Sequence, residues 1–368
     1  MCSINMIERI NHSMGYDKKP NGPSSAKKGF WRLQGLLLMI LLLVITGCSA
    51  GNKNGNNNPE PAGTAPSIQT TQELPPTIRT TQELPPTIRT PQELPPYTEP
   101  PRETVEDTGT VPAITEYDWS GYFDGMNGAA VIYDPDEEQY MIYNQELVET
   151  RRSPCSTFKI ISSLIALEDG IIEPEHSVRE WSGEIFWNEK WNKDIDFHEA
   201  FRTSCVWYYR QIIDEVGADR IQAVLNGLLY GNCDISDWEG RLNTNNDNRA
   251  LTGFWIESSL KISAKEQTQV MERIFGRDTH YGEETLEQLK QVMLVTQQDE
   301  AVVKIYGKTG MGKDKGIVVD SWFTGFADTP DGRRYFCVYI GRSDGRAVSS
   351  AKAKEIAVNI VSDVCNTL

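Results

Sequence analysis

A serine and a lysine one helical turn apart are the first residues of this 368-residue chain whose types and spacing could do chemistry. The segment Ser156–Lys159, S-T-F-K, places a hydroxyl and an amine on one face of a predicted helix start. Serine becomes a nucleophile only with a base in hydrogen-bond reach. A helix cap followed by a surface lysine is the alternative. Because Lys159 stands between Phe158 and Ile160, we expect its pKa to fall, which favours a functional lysine.

Two other segments carry side chains that such chemistry needs. Ser204 supplies a second hydroxyl within Arg202–Tyr209, which we predict to be helical. The triplet Lys308–Gly310, K-T-G, follows a predicted strand, where its lysine and threonine can bind a carboxylate and its glycine leaves room for a substrate. Each motif is weak by itself. Their order, S-x-x-K, S-x-V and then K-T-G, is a specific pattern of active-site-serine proteins.

These motifs and their neighbours closely resemble the class D (OXA-type) β-lactamases. The resemblance covers the chain from about residue 114 onwards and nothing before it. The matching segments are Ser153–Ile160, Ser204–Val206, Tyr230–Asn232, Phe254–Ser263, Tyr306–Gly310 and Trp322–Gly325. The resemblance implies a serine β-lactamase or penicillin-binding-protein transpeptidase-like fold. It also implies hydrolysis of the β-lactam amide of penicillin-type antibiotics through a serine acyl-enzyme, which confers antibiotic resistance.

The resemblance also implies roles for single residues. Ser156 would be the acylated nucleophile, and Lys159 would be carboxylated by CO2 to N6-carboxylysine and act as the general base. The Trp255 indole N–H would donate to that carbamate, and Ser204 would relay a proton to the leaving nitrogen. The implied substrate-binding residues are Val206, Lys308, Thr309, Gly310 and Met311, with Lys308 and Thr309 on the substrate carboxylate and the N–H groups of Ser156 and Met311 in the oxyanion hole. CO2 or bicarbonate is expected as co-reactant, without a metal or an organic cofactor.

Several neighbouring residues have more than one interpretation. Tyr230–Asn232 favours a structural loop over a catalytic group, and Trp255 is either the carbamate donor or a core aromatic. Cys155 and Cys205 flank the two serines and are expected to be buried small hydrophobes, not redox partners. The family's arginine near the last helix is absent here, so Lys352 either replaces it or the contact is missing.

The elements that must position these residues form an α+β pattern. Predicted strands are Gly128–Asp134, Tyr140–Tyr143, Val302–Tyr306, Ser321–Ala327 and Tyr335–Ile340, and predicted helices are Phe158–Asp169 and Ser350–Val364, with mainly helices and loops across Trp181–Met293. Strands near both ends with helices between them predict one antiparallel sheet, flanked by N- and C-terminal helices, with a helical insert. A cleft between sheet and insert is the expected place for a site.

Residues 1–47 are predicted to be a signal peptide. The apolar run Gly35–Thr46 is short for a membrane span and follows several lysines and an arginine. It ends at Ile45–Cys48, which resembles the lipobox of bacterial lipoproteins, where the cysteine is diacylated and becomes the mature N-terminus. A signal anchor that is never cleaved is the alternative. We expect an exported protein, anchored through a lipid on Cys48 to the outer face of the bacterial cell membrane.

Residues 48–112 are predicted to be a disordered tether. The ten-residue unit Thr71–Thr80 recurs identically at Thr81–Thr90 and imperfectly at Pro91–Pro100. Such a Pro- and Thr-rich composition buries too little apolar surface to offset chain entropy. A spacer is favoured over a ligand for a proline-binding domain. The catalytic domain is expected at residues 113–368.

Composition excludes other classes of protein. The net charge of −16 argues against nucleic-acid binding, which relies on Lys and Arg. The seven cysteines form no C-x-x-C pair, and no H-E-x-x-H occurs among the four histidines, so no metal site is predicted. The oligomeric state stays open. The competing functions are a β-lactam sensor that acylates without hydrolysis and a D,D-peptidase acting on cell-wall peptides.

Overall fold

The computed structural model describes residues 111–295 and 302–367. The signal peptide, Cys48 and the ten-residue repeats lie outside the described residues. The strands are β1 (Ala113–Glu116), β2 (Asn127–Asp134), β3 (Gln139–Tyr143), β4 (Lys304–Asp314), β5 (Ile317–Thr329) and β6 (Gly332–Gly341). The helices are α1 (Ser120–Phe123), α2 (Gln145–Glu149), α3 (Lys159–Glu168), α4 (Phe197–Thr203), α5 (Val206–Val216), α6 (Ala218–Leu228), α7 (Ala264–Phe275), α8 (Glu283–Met293) and α9 (Ser350–Thr367).

The strands form one six-stranded sheet in the order β1-β3-β2-β6-β5-β4. The predicted hairpin of β2 and β3 is confirmed, with Ile132 opposite Met141. The predicted antiparallel sheet is confirmed for β2 to β6. Strand β1, which was not predicted, makes the sheet mixed: β6 occupies the other edge of β2, so β1 adds at the edge of β3, in parallel. The fold is α+β, with a mixed sheet.

Alternation along the strands gives the sheet two apolar faces. In β2, Ala130 and Ile132 pack on the side of α1 and α9, in a cluster that includes Ile356 of α9. Ala129 and Val131 pack on the opposite side, with Ala264 of α7. This period of two is the ordinary geometry of a strand buried on both faces. The N- and C-terminal helices therefore cover one face, and the helical insert covers the other.

Helix α3 lies in the interior of the molecule. Every residue from Lys159 to Ala166 is buried, and Ile160, Ile161, Leu164 and Ile165 belong to the largest apolar cluster, with α5, α6 and α7. The prediction of a buried helix here is confirmed, although its first turn, Cys155–Phe158, is a 3-10 helix. A polar side chain on α3 is consequently surrounded by protein. Among the described residues, no helix is long and apolar enough to cross a membrane.

Candidate active site

Ser156 lies in the 3-10 turn that leads into α3. Two contacts hold this turn: the Cys155 N–H donates to the Trp255 carbonyl (2.9 Å), and the Thr157 hydroxyl donates to the Pro154 carbonyl (2.8 Å). The Lys159 ammonium donates to the Ser156 hydroxyl oxygen at 3.0 Å. The structure therefore brings together the serine and lysine that the sequence pairs, in a geometry suited to proton transfer.

Lys159 is enclosed by apolar and aromatic groups. Its side chain is 1% exposed, and its Nζ lies 5.2 Å from the centre of the Tyr209 ring. Burial disfavours the charged amine and lowers the pKa of Lys159 from 10.5 to about 8. This lysine can therefore lose its proton near neutral pH, as a base must.

Ser204 lies in a turn between α4 and α5. The prediction that it lies within a helix is wrong, because its φ of 59° is left-handed and ends α4. The N–H groups of Ser204 and Cys205 donate back to the carbonyls of Phe201 and Ala200, an ordinary pattern at a helix end. The turn aims the Ser204 hydroxyl at Lys308, whose ammonium donates to it at 3.1 Å.

The K-T-G triplet was predicted to follow a strand. It lies inside β4 instead, because this strand continues to Asp314. Lys308 also donates to the hydroxyl of Thr309 at 3.3 Å. A Cβ on Gly310 would lie 2.9 Å from the Pro154 carbonyl oxygen and 2.9 Å from the Thr157 methyl carbon. The glycine therefore lets β4 pack against the 3-10 turn, a role that the sequence did not indicate. This close contact places the K-T-G strand beside Ser156.

Lys308 is a second buried amine, only 4% exposed. Burial, followed by the charges of Lys159 and Lys354, holds the pKa of Lys308 well below its usual range. An anion bound beside Lys308 would favour the charged form of this amine. Lys352, the predicted substitute for the missing arginine, instead pairs with Glu355 at 2.7 Å on the surface of α9. Lys354 is the residue of α9 whose charge contributes to the lowered pKa of Lys308.

The two serines border one cavity of about 190 Å³, whereas Lys159 and Lys308 are not among its lining residues. Its walls include six of the predicted site residues: Ser156, Ser204, Val206, Thr309, Gly310 and Met311. Trp255 is 1% exposed and stacks on Phe158 at 6.0 Å, so it fits the core-aromatic interpretation. Its contact with a carbamate stays a prediction.

The structure also describes the Tyr230–Asn232 segment and the two cysteines beside the serines. Gly231 has a left-handed φ of 54°, and the Asn232 side chain donates to the Ser259 carbonyl, so Tyr230–Asn232 is a structural loop. Cys155 and Cys205 are buried thiols, and burial raises the pKa of each to about 12. Neither thiol is therefore poised for redox chemistry.

The cavity also contains residues that sequence reasoning missed. Glu257 accepts hydrogen bonds from the Lys313 N–H (2.6 Å) and the Asn245 side chain (2.6 Å), and Trp187 lies at the same cavity. Burial raises the pKa of Glu257 despite these bonds. The sequence could have indicated two of these residues as neighbours of the site. Glu257 lies two residues after Trp255, and Lys313 lies three residues after the K-T-G glycine. Nothing comparable in the sequence marks Trp187 and Asn245, since only folding brings their loops to the site.

A serine hydrogen-bonded to a buried lysine, beside a second lysine–serine pair between a sheet and a helical layer, defines an active-site-serine acyl-transfer domain. The family model of the penicillin binding protein transpeptidase domain matches residues 128–362. The chain belongs to this family.

Relatives include both enzymes and receptors. The chain is 30% identical over 246 residues to the regulatory protein BlaR1 of Bacillus licheniformis, an alignment that covers 66% of this chain but 38% of that protein. It is 30% identical over 240 residues to the probable beta-lactamase YbxI of Bacillus subtilis, covering 65% of this chain and 81% of the other. A solved class D beta-lactamase from Bacillus subtilis superposes with a TM-score of 0.57 at 28% identity, over 67% of this chain and 95% of that one. The domain is thus related to class D β-lactamases and to sensor domains.

Proposed function

We propose that this protein is a serine β-lactamase that hydrolyses penicillin-type antibiotics and so confers resistance to them. The observation that carries the proposal is the 3.0 Å contact between the Ser156 hydroxyl and Lys159, an amine that burial holds at a pKa of about 8. A nucleophile and its base are thereby in contact at a cavity that a small cyclic amide can enter.

Acylation follows from the positions of the two pairs. With Lys159 carboxylated, as the family resemblance implies, its carbamate would take the proton of Ser156 as the serine oxygen attacks the lactam carbonyl, and the N–H groups of Ser156 and Met311 would stabilise the oxyanion. The C–N bond then breaks, and the leaving nitrogen receives the proton taken from Ser156, which the Lys159 base passes on through Ser204. Lys308 and Thr309 bind the substrate carboxylate, since the Lys308 ammonium lies within hydrogen-bond distance of the hydroxyls of both Thr309 and Ser204.

Deacylation needs a base that can activate water. The family resemblance implies that Lys159 carries a carbamate derived from CO2, and this group would supply that base. The surroundings of Lys159 fit the modification: at a pKa of about 8, roughly a tenth of the amine is neutral at pH 7, and only a neutral amine adds CO2. Trp255, packed on Phe158 in the adjoining core, would donate its indole N–H to the modified side chain.

A penicillin-responsive sensor is the second candidate. Its support is the 30% identity to BlaR1, of which this chain spans under two fifths. A sensor and a β-lactamase share acylation and differ in the rate at which the acyl-enzyme is hydrolysed.

The test is penicillin turnover by the full chain with added bicarbonate, followed by intact-mass measurement. Sustained turnover that disappears in Ser156→Ala supports the hydrolase. A single stoichiometric burst, with a stable adduct on Ser156, would instead indicate a sensor or a penicillin-binding peptidase.

We also propose that Cys48 is lipidated and anchors the domain, through residues 48–112, to the outer face of the cell membrane. Support comes from the lipobox-like sequence before Cys48 and from the Pro-rich repeats after it. Cys48→Ala is expected to move the protein from the membrane fraction to the soluble fraction. Retention of this variant in the membrane would favour an uncleaved signal anchor.

A further inference from the structure

A second cavity lies away from Ser156, between the end of α7 and the β2–β3 and β5–β6 turns. This α7 cavity measures about 520 Å³ and shares no wall residue with the active-site cavity. Strand β5 connects the two, because Ser321 pairs with Met311 of the active site and Asp328 lines the α7 cavity. Seven residues of strand separate these positions by roughly 23 Å. The α7 cavity is therefore a separate feature of the molecule.

The floor of the α7 cavity is aromatic. Tyr133 and Tyr335 both belong to its wall, and their stacked rings are 6.4 Å apart. The other neighbour of Tyr133 is Tyr140, stacked on it at 4.5 Å, and the Lys265 ammonium lies 5.2 Å from the centre of the Tyr140 ring. This row of rings therefore already holds one alkylammonium group of the protein, and it continues into the cavity.

Glu272 brings a carboxylate to the same cavity, in a position that folding does not favour. It lies in the last turn of α7, where the helix dipole disfavours an anion. Its carboxylate packs on Gly276, where a Cβ would lie 2.7 Å from Oε1. Burial raises the pKa of Glu272, and the charge of Arg273 opposes that rise. Among the described residues, no hydrogen bond or ion pair reaches this carboxylate. Groups held in this way are common at functional sites.

The other charges of the wall leave the cavity acidic. It has five carboxylates and two guanidinium groups, a formal balance of −3. Both arginines are engaged, Arg277 with Asp136 and Arg333 with Asp328. No group of three or more side chains that could hold a metal ion occurs among the described residues. An organic cation therefore fits this cavity better than a metal ion.

We propose that the α7 cavity binds a primary alkylammonium ion, with its ammonium on the Glu272 carboxylate and its alkyl chain against Tyr133 and Phe275. The ammonium would donate charge-assisted hydrogen bonds to the carboxylate, and its charge would lie beside the tyrosine ring. The methylene groups would cover apolar ring surface. A free alkylamine and the lysine side chain of a peptide share this chemistry. The binding goes beyond the proposed function, because it does not involve Ser156.

The experiment titrates the full chain with n-pentylamine and with N-acetyl-lysine N-methylamide, followed by saturation-transfer NMR. A Kd on the order of 1 mM is expected for ligands of this size. Glu272→Gln keeps the shape and removes the charge, and it should raise Kd at least about tenfold. Tighter binding of the lysine amide would support a peptide as the source of the amine, and tighter binding of pentylamine would support a free amine.

The matched control is Glu137→Gln, which makes the same charge change at an exposed position of the β2–β3 turn outside the cavity wall. It should leave Kd within about twofold, which separates a site from general attraction to an acidic protein. Asp278→Asn is a second variant in the wall and should raise Kd about threefold, since its charge acts on Glu272. An unchanged Kd in Glu272→Gln, an equal rise in Glu137→Gln, or equally tight binding of uncharged n-pentanol would overturn the proposal. Each of these results leaves the proposed function intact.

Discussion

At the scale of single residues, burial lowers the pKa of two lysines at the candidate site. Lys159 and Lys308 are 1% and 4% exposed, and the pKa of each is lowered chiefly by that burial. A surface lysine would stay protonated near pH 7 and could not act as a base. The function of these side chains therefore costs stability, as is common at active sites.

Replacing Lys159 with methionine should separate activity from stability. We expect Lys159→Met to lower kcat at least about 100-fold, because the general base is lost. The free energy of unfolding at pH 7 should rise by about 3 kcal/mol, since a pKa drop from 10.5 to about 8 corresponds to a cost of that order. The unfolded chain binds this proton more tightly, so the cost is full below pH 8 and fades towards pH 10.5.

Urea unfolding at pH 7 and pH 9.5 measures this difference in bicarbonate-free buffer. Lys315→Met, at an exposed position in the β4–β5 turn, is the matched control and should change little. A loss of stability in Lys159→Met at both pH values would contradict the expected cost of burying the amine.

Bicarbonate should raise activity most at acid pH. With a pKa of about 8, roughly half of Lys159 is neutral at pH 8 and about 1% at pH 6. Because only the neutral amine adds CO2, the carboxylated fraction of Lys159 should decrease as pH falls. Turnover is measured at both pH values with and without bicarbonate. Lys159→Met should show no response, and an unresponsive wild-type enzyme would argue against the carbamate.

Lys354, not Lys352, should assist substrate binding from α9. Its charge reaches Lys308, whereas Lys352 pairs with Glu355. We expect Lys354→Ala to raise the KM for benzylpenicillin about fivefold, the effect of losing roughly 1 kcal/mol of attraction to the substrate carboxylate. Lys352→Ala is the control and should leave KM within about twofold. Equal effects in steady-state kinetics would show that α9 acts only through general surface charge.

At the scale of elements, one hydroxyl connects the 3-10 turn to the loop after Trp255. The Ser153 hydroxyl is buried, donates to the Trp255 carbonyl at 3.0 Å and accepts from the Glu257 N–H at 2.8 Å. Glu257 in turn accepts from the Lys313 N–H of β4. Three segments distant in sequence are thereby fixed around Ser156, which supports the precise placement that catalysis requires.

Ser153→Ala should weaken this connection measurably. It leaves the partly buried Glu257 N–H without its acceptor, so we expect a loss of about 1–3 kcal/mol in the free energy of unfolding, with lower kcat. Ser162→Ala is the control, because the Ser162 hydroxyl donates only to the Phe158 carbonyl, one turn earlier in the chain, and alanine preserves helix α3. Urea unfolding compares the two, and equal stability would remove Ser153 from this role.

At the scale of the whole molecule, the sheet joins both ends of the domain. Strand β2 pairs with β6 across about two hundred residues, and the helical insert between them completes the cavity. All six strands of the described residues lie after residue 112. The described sheet therefore contains no residue of the predicted tether.

Removal of residues 1–112 should leave the domain intact. We expect the fragment 113–368 to match the chain that starts at residue 49 in Tm and in kcat/KM, because the predicted tether has a composition that adds no packed core. Calorimetry and penicillin turnover on both proteins check this. A Tm lower by more than about 5 °C in the shorter fragment would show that the tether packs on the domain.

The sequence by itself determined the features that depend on only one helical turn or one hairpin. Ser156 and Lys159 are three residues apart, so helix geometry brings them together wherever the helix lies, and the β2–β3 hairpin follows from its local pattern and turn. Tertiary structure decided the rest: the contact of Lys308 with Ser204, 104 residues away, the parallel pairing of β1 and the arrival of Trp187 and Asn245 at the cavity. It also decided the pKa of Lys159, because exclusion of water depends on side chains from α5 and on the surrounding core, which no local pattern encodes.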